Sequence, residues 1–257
     1  MRARDGEAIE LSFPGTRGEI DVRSRSHYRH SALLVRCREA RILIDCGADW
    51  LHRFERLRPT AVLVTHAHPD HAWGLADGAP CPVYATRKTH RLLADCFIRD
   101  RQIIKPLQTE EIDGLRIEAF PVRHSLRAPA VGYRVSRNAN QFFYVPDVVS
   151  IPRRARALRG ARLYIGDGAT MRRPLIRRRG RSPIGHAPIS MQLRWCEDEE
   201  IPAAIFTHCG TEIVSGDGRS LHAAIRRLGR EHGIDARLAH DGMRIWLRDG
   251  EISSEPG

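Results

Sequence analysis

Thr65-His66-Ala67-His68-Pro69-Asp70-His71 places three imidazoles and one carboxylate within the six residues from His66 to His71. The apolar run Ala61-Val-Leu-Val precedes it and reads as a strand, so these side chains leave a strand end in a tight loop. Burying so many polar groups together is unfavourable unless they share a partner. A cation is such a partner, because neutral imidazole and carboxylate oxygen are good ligands for Zn²⁺ and similar ions. His66 and His68 alternate and can face one ion, while Asp70 and His71 can reach a second.

Apolar runs of the same kind recur outward from this motif. They include Ser31-Ala-Leu-Leu-Val-Arg, Arg41-Ile-Leu-Ile-Asp45, Gly114-Leu-Arg-Ile-Glu-Ala-Phe, Gln141-Phe-Phe-Tyr-Val-Pro, Arg162-Leu-Tyr-Ile-Gly-Asp167, Ala203-Ala-Ile-Phe-Thr207 and Arg244-Ile-Trp-Leu. Continuous apolar runs suit strands covered on both faces. Between them, 220–232 has a helical stripe of Leu221, Ala224, Ile225 and Leu228 with Gly233 as its stop, and 188–199 forms a second helix with proline in the first turn. This pattern predicts an α/β protein with sheet covered on both faces.

Composition narrows the class. With 42% hydrophobic and 28% charged residues, the chain can bury a core and is not of the disordered type. No apolar run is long enough to span a bilayer. The N-terminal Met1-Arg-Ala-Arg-Asp-Gly-Glu-Ala lacks the apolar core of a secretory signal, so a cytoplasmic location is expected. The six cysteines, Cys37, Cys46, Cys81, Cys96, Cys196 and Cys209, have no zinc-ribbon spacing and read mostly as small buried hydrophobes. The net charge of +11 suits anionic partners, including nucleic acid. Only Lys88 and Lys105 are lysine, and such an arginine bias also follows from a GC-rich coding sequence. Eleven arginines fall within 153–181, whose end, Met171-Arg-Arg-Pro-Leu-Ile-Arg-Arg-Arg-Gly-Arg-Ser-Pro, reads as a basic loop broken by Gly and Pro.

His66-x-His68-x-Asp70-His71 resembles the H-x-H-x-D-H signature of the metallo-β-lactamase superfamily. That resemblance implies an αββα sandwich of two facing mixed sheets with helices outside, with the whole chain, 1–257, as a single hydrolase domain. It also implies two divalent ions, zinc first, with manganese or iron as alternatives. By resemblance His66, His68 and His124 hold the first ion, Asp70, His71 and His208 the second, and Asp147 bridges them. Asp45 supports the site from behind. Asp167 also ends a strand and is the alternative to Asp147.

The resemblance leans toward the compact phosphodiesterase branch, which includes the phosphonate-pathway cyclic phosphodiesterases and the tRNA 3′-processing endonucleases. An aspartate stands at the bridging position, where the true β-lactamases usually have cysteine or serine. Leu238-Ala-His-Asp-Gly-Met-Arg-Ile looks like the closing strand of that branch, although Asp241-Gly242 is also an ordinary turn. His186, the only histidine between Asp147 and His208, stands where that branch protonates its leaving alkoxide, at the opening of helix 188–199. The implied function is hydrolysis of a small or cyclic phosphodiester, with His186 and Asp70 as catalytic residues. Arg172, Arg173 and His30 are the candidate phosphate-binding residues. The alternatives are a nuclease that grips RNA or DNA through the basic segment, or a thioesterase-type hydrolase. A homodimer is a further expectation from the resemblance.

Overall fold

The computed structural model describes residues 8–180 and 182–254. Residues 1–7, most of the stretch examined for a signal, and Arg181 of the basic segment lie outside them. Two sheets face each other. The first contains β1 (Ile9–Gly15), β2 (Ala32–Cys37), β3 (Ala40–Ile44), β4 (Ala61–Leu63), β5 (Val83–Ala85) and β6 (Arg101–Ile103). The second contains β7 (Thr109–Ile112), β8 (Leu115–Val122), β9 (Ala130–Arg137), β10 (Asn140–Tyr144) and β11 (Leu163–Asp167). A separate hairpin, β12 (Leu175–Arg179) and β13 (Ser182–His186), follows, and then β14 (Ala203–Thr207) and β15 (Asp235–Leu238) complete the second sheet. Finally β16 (Met243–Arg248) and β17 (Glu251–Ser254) return to the first. The orders are β17-β16-β1-β2-β3-β4-β5-β6 and β15-β14-β11-β10-β9-β8-β7. Six α-helices accompany them among the described residues: α1 (Pro69–Ala72), α2 (Arg87–Leu92), α3 (Arg154–Leu158), α4 (Ile189–Asp198), α5 (Thr211–Val214) and α6 (Gly218–Glu231).

Each central strand buries both faces, which explains the continuous apolar runs. In β2, Leu33 and Val35 point into the core between the sheets, and Leu34 points outward. In β10, Phe142 and Tyr144 face the shared core, and Phe143 faces the helices. The shared core also contains Leu11, Phe13, Ile117, Tyr133, Ile165 and Ile245. Outside the second sheet, Tyr164 and Phe206 pack with Leu193 of α4 and Ile225 and Leu228 of α6. Outside the first sheet, Leu43 and Val62 pack with Trp50, Phe54 and Leu75. The layering is the expected αββα sandwich. The predicted strands are all present, and the two predicted helices are α4 and α6. Asp217 caps α6 by accepting the Ser220 N–H at 2.8 Å. Among the described residues, no helix is long and apolar enough to cross a membrane.

Strand direction determines where the chemistry gathers. β3 and β4 are parallel. β8 and β10 both run antiparallel to β9, and β10, β11 and β14 are mutually parallel. The C-terminal ends of β8, β10, β11 and β14 therefore share one edge, the usual place for a site in such sheets. The loop after β4 is tied to the opposite sheet: Tyr133 donates its hydroxyl to the Val64 carbonyl at 2.8 Å, and Val131 donates its N–H to Thr65 O at 3.1 Å.

The stretch 171–183, expected to be a loop, contains strand from Leu175 onward. Leu175–Arg179 pairs with Ser182–His186 as the β12–β13 hairpin, in register from Leu175↔His186 to Arg179↔Ser182. Gly185 makes the close approach. Its φ is +111°, and a Cβ there would lie 2.0 Å from the Leu175 carbonyl oxygen. Asp241 is more than a turn residue. It accepts the Thr16 hydroxyl at 2.7 Å and the N–H groups of Tyr28 and Arg29 at 3.0 and 3.1 Å, which pins the segment 16–31 over the sheet edge.

Candidate metal centre

Each donor in the cluster comes from the end of a strand. Asp45 follows β3, the His66–His71 loop follows β4, His124 follows β8, Asp147 follows β10 and His208 follows β14. Two of these residues adopt left-handed backbone, Asp45 at φ 66° and His208 at φ 55°. For a histidine that conformation costs about 1–2 kcal/mol, and such strain concentrates where a side chain must be aimed. Gly47 lets the chain approach the motif, since a Cβ there would stand 2.0 Å from the Asp70 carbonyl oxygen.

The side chains form three overlapping groups of four that share Asp147; two consist of the expected ligands, and the third joins Asp147 and His208 to Asp167 and His186. His66, His68, His124 and Asp147 each offer a ligand atom, all within 4.8 Å of one another, and Asp70, His71, Asp147 and His208 do the same. In the first group, His66 Nε2 lies 2.9 Å from His68 Nδ1 and 3.2 Å from Asp147 Oδ2. His124 Nε2 lies 3.3 Å from His68 Nδ1 and 3.4 Å from Asp147 Oδ2. In the second, His71 Nε2 is 3.1 Å from Asp70 Oδ2 and 3.0 Å from Asp147 Oδ2. His208 Nε2 is 3.0 Å from Asp70 Oδ2, and its Nδ1 is 3.0 Å from Asp147 Oδ1.

This donor set fits metal ions better than it fits itself. His71 Nε2, Asp147 Oδ1 and His208 Nδ1 are buried and make no hydrogen bond despite these short separations. Buried polar atoms without partners are rare. The outer nitrogens are occupied in the pattern that orients metal-binding histidines. His71 Nδ1 pairs with Asp45 at 2.8 Å, His124 Nδ1 donates to the Gly185 carbonyl at 3.0 Å, and His66 Nδ1 meets the Thr65 hydroxyl at 3.0 Å. Asp45 in turn accepts the Thr65 N–H at 2.8 Å.

Electrostatics separate the histidines. Burial holds His66 well below the ordinary imidazole pKa and lowers His124, and burial with His124 beside it brings His68 to about 4. These rings are neutral, as ligands must be. Burial opposes a charge on His71, but Asp70, Asp147 and Asp45 outweigh it and raise that ring well above its usual value. Burial likewise opposes ionised Asp147, and His208, His124 and His71 overcome it, so its carboxyl stays well below the usual range. A cluster in which some rings must carry protons to balance three carboxylates has positive charge as its missing component.

Asp147 and Asp167 differ in their surroundings. Asp167 Oδ1 accepts the Ala169 N–H at 2.9 Å, while Oδ2 accepts the Val148 N–H at 3.0 Å and His186 Nδ1 at 2.8 Å. Asp167 is thus fully occupied in holding His186 and the chain beside Asp147. His186 belongs to β13, two residues ahead of the α4 cap Pro188, so it arrives from the hairpin and not from the helix. Burial alone would lower its pKa, but the Asp167 carboxylate and its hydrogen bond push it up to about 9. With Nδ1 committed to Asp167, Nε2 is the nitrogen left for a ligand.

A cleft of about 1210 Å³ opens on the cluster. His68, Asp70, His124, Asp147, His186 and His208 line its floor, with Ile20, Leu175, Ile184, Arg173 and Arg177 on its walls. A smaller hollow of about 420 Å³ along β16 and β17 contains no histidine. Arg173 is placed on the cleft as expected, but two other phosphate-binding candidates are elsewhere. His30 is buried behind the site. Its Nδ1 accepts the Asp49 N–H at 3.3 Å, and burial brings the ring to about 4, so it is a neutral latch between segment 16–31 and Asp49. Arg172 turns outward to Glu231 of α6 at 4.0 Å. Arg177 of the basic segment lines the cleft as well, and sequence reasoning missed Glu19 and Glu212 there. Glu212 accepts the Thr170 hydroxyl and the Met171 N–H, both at 3.1 Å, and so fixes the approach to the hairpin.

Comparison with known proteins places this geometry in a family. A sequence profile described as the beta-lactamase superfamily domain matches residues 40–209. No curated protein sequence matches the chain. Among solved structures, a diphosphatase of the PhnP family is 21% identical, with 93% of this chain and 97% of that one covered at a TM-score of 0.70. The short form of human tRNase Z is 17% identical, covering 92% and 98% at 0.64. Zinc-bound PqqB from Methylobacterium extorquens is 20% identical, covering 91% and 99% at 0.65. With the profile spanning residues 40–209, more than half of its length, the chain belongs to the beta-lactamase superfamily and has the metallo-β-lactamase fold.

Proposed function

We propose that the protein is a dinuclear metal-dependent hydrolase of phosphodiesters, acting on a small or cyclic substrate. The observation that carries this reading is the pair of four-residue donor groups joined through Asp147, whose Oδ1 is buried and without a hydrogen-bond partner. His66, His68 and His124 would hold one ion, Asp70, His71 and His208 the other, and Asp147 both. Zinc suits this mixed His/Asp set, as do manganese and iron. When bound, the two ions supply Lewis acidity to the phosphoryl oxygens and to water.

The chain's own residues supply the rest. Asp45 fixes the His71 ring, and the Gly185 carbonyl fixes that of His124. His186, whose pKa the hydrogen-bonded Asp167 carboxylate pushes up to about 9, would give the Nε2 proton to the departing oxygen while Asp167 stabilises the ring through Nδ1. Arg173 stands on the cleft where a guanidinium can orient the phosphate. An aspartate at the shared position, together with a proton donor beside it, favours phosphodiesters over lactams. The likeness in fold to a PhnP-family diphosphatase and to a tRNase Z supports the phosphodiester reading.

A nuclease is the second reading, because Arg177, Arg178 and Arg179 are all exposed on consecutive positions. A hydrolysis panel on metal-loaded protein tests both. It comprises bis-p-nitrophenyl phosphate, cyclic phosphates, single-stranded RNA, a thioester and a lactam. Turnover of the simple and cyclic diesters is expected. RNA cleavage that weakens steeply with salt would favour the nuclease. Turnover of the thioester or lactam alone would overturn the phosphodiesterase reading.

A further inference from the structure

Resting on the two-ion reading, we infer that the buried Arg17–Asp49 ion pair is a positioning device for one ion alone, the one that Asp70, His71 and His208 would hold. These three ligands arrive from two parts of the chain, and each part is backed by one partner of the pair. Asp49 lies in the single helical turn Ala48–Trp50. The chain just before it is bound to the metal motif. Cys46 donates its N–H to the His71 carbonyl at 2.7 Å and accepts the Gly74 N–H at 2.8 Å, and Gly47 stands against the Asp70 carbonyl. Arg17 backs His208. Cys209 donates its N–H to the Thr16 carbonyl at 2.7 Å, and Gly18 donates to the Cys209 carbonyl at 3.0 Å, so the two bonds flank Arg17. Gly18 then packs against the His208 ring: a Cβ there would stand 3.0 Å from Cε1 and 3.1 Å from Nδ1.

The ion pair joins these two parts. Arg17 is buried, and its Nη2 donates to Asp49 Oδ2 at 2.6 Å. Its Nε donates to the Tyr28 carbonyl at 3.2 Å, and its Nη1 donates to the Gly18 carbonyl at 3.2 Å and to the Ile20 carbonyl. A guanidinium is a rigid fork, so fixing it on Asp49 fixes the backbone of residues 18–20 with it. Desolvation offsets much of the attraction in a buried ion pair, and its better attested use is to select one arrangement. His208 needs such a constraint. Its backbone is left-handed at φ 55°, and its Nδ1 has no hydrogen-bond partner. Asp45 orients His71 through a hydrogen bond, whereas Gly18 orients His208 by contact. The ligands of the other ion are held from elsewhere, His66 by the Thr65 hydroxyl and His124 by the Gly185 carbonyl.

The test is a zinc titration of the chelator-stripped protein, followed by calorimetry. The wild type should show two binding steps, and His208→Ala identifies the step of its own site by removing it. Asp49→Asn and Gly18→Ala should each weaken that step by roughly 10-fold to 100-fold, the usual cost of losing a group that orients a metal ligand, and leave the other step unchanged. Gly18→Ala crowds the ring while the ion pair stays intact, so it tests the contact by itself. Arg23→Ala removes only the exposed partner of Asp49, 2.9 Å away, and should leave both steps as they are. Should Asp49→Asn fail to fold, Arg17→Lys, which keeps the charge and loses the fork, carries the same expectation. Equal weakening of both steps, or no change in Gly18→Ala, would overturn the inference and leave the two-ion reading standing. A wild type that binds fewer than two zinc ions would overturn the two-ion reading and the inference with it.

Discussion

Replacing Asp147 by alanine should remove at least one metal ion per chain and lower diester hydrolysis by at least about 10²–10³-fold, the loss typical of removing one preorganised stabiliser of transition-state charge. The effect is large because Asp147 is the only residue common to both donor groups. Its Oδ2 faces His66, His71 and His124, and its Oδ1 faces His208. Without it His66 and His124 lose the carboxylate they face, and His71 and His208 keep only Asp70 at the centre of the cluster. Elemental analysis of the purified variant reads the first effect, and steady-state hydrolysis reads the second. Two ions at full occupancy in the variant would show that the shared carboxylate is another residue. Asp167 would then be the shared carboxylate despite its three hydrogen bonds.

His186→Ala should retain both ions and the fold but lose roughly 10²–10⁴-fold in rate on a diester with a poor, alkoxide leaving group, the usual contribution of a general acid. A p-nitrophenolate leaves without needing a proton, so its diester should lose much less. The prediction follows from the pairing of His186 Nδ1 with Asp167 at 2.8 Å, which holds the ring protonated on the cleft. Equal losses on the two substrates would make His186 a general phosphate-positioning group. Loss of a metal ion would make it a ligand, an arrangement the proximity of His186 to Asp147 and His208 brings within reach.

The metal cluster could be read from sequence because each member follows an apolar run. Strands such as Ala61–Leu63 and Ala203–Thr207 are buried on both faces, so hydrophobicity alone marks them and the polar residue after each stands out. The order His124, Asp147, His208 then followed from the resemblance. The hairpin was hidden for the opposite reason. Leu175–Arg179 carries three arginines and lies mostly in solvent, and its pairing depends on register and on Gly185, which no periodicity reveals. β9 was overlooked as well, since Gly132, Arg134 and Ser136 interrupt its apolar residues. The place of His30, a phosphate-binding candidate in the sequence, could not be read from local pattern. Its burial and its bond to Asp49 are tertiary facts. The contact of Asp167 with His186 spans nineteen residues and two strands, and local pattern cannot supply it.

The most direct test of the account is a metal titration. Protein stripped with a chelator should be inactive on bis-p-nitrophenyl phosphate. Activity should return as zinc or manganese is added and should level off at two equivalents per chain, with His66→Ala and His208→Ala each lowering that stoichiometry. Full activity in the stripped protein, or two bound equivalents with no diester hydrolysis under conditions where a thioester is cleaved, would contradict the account.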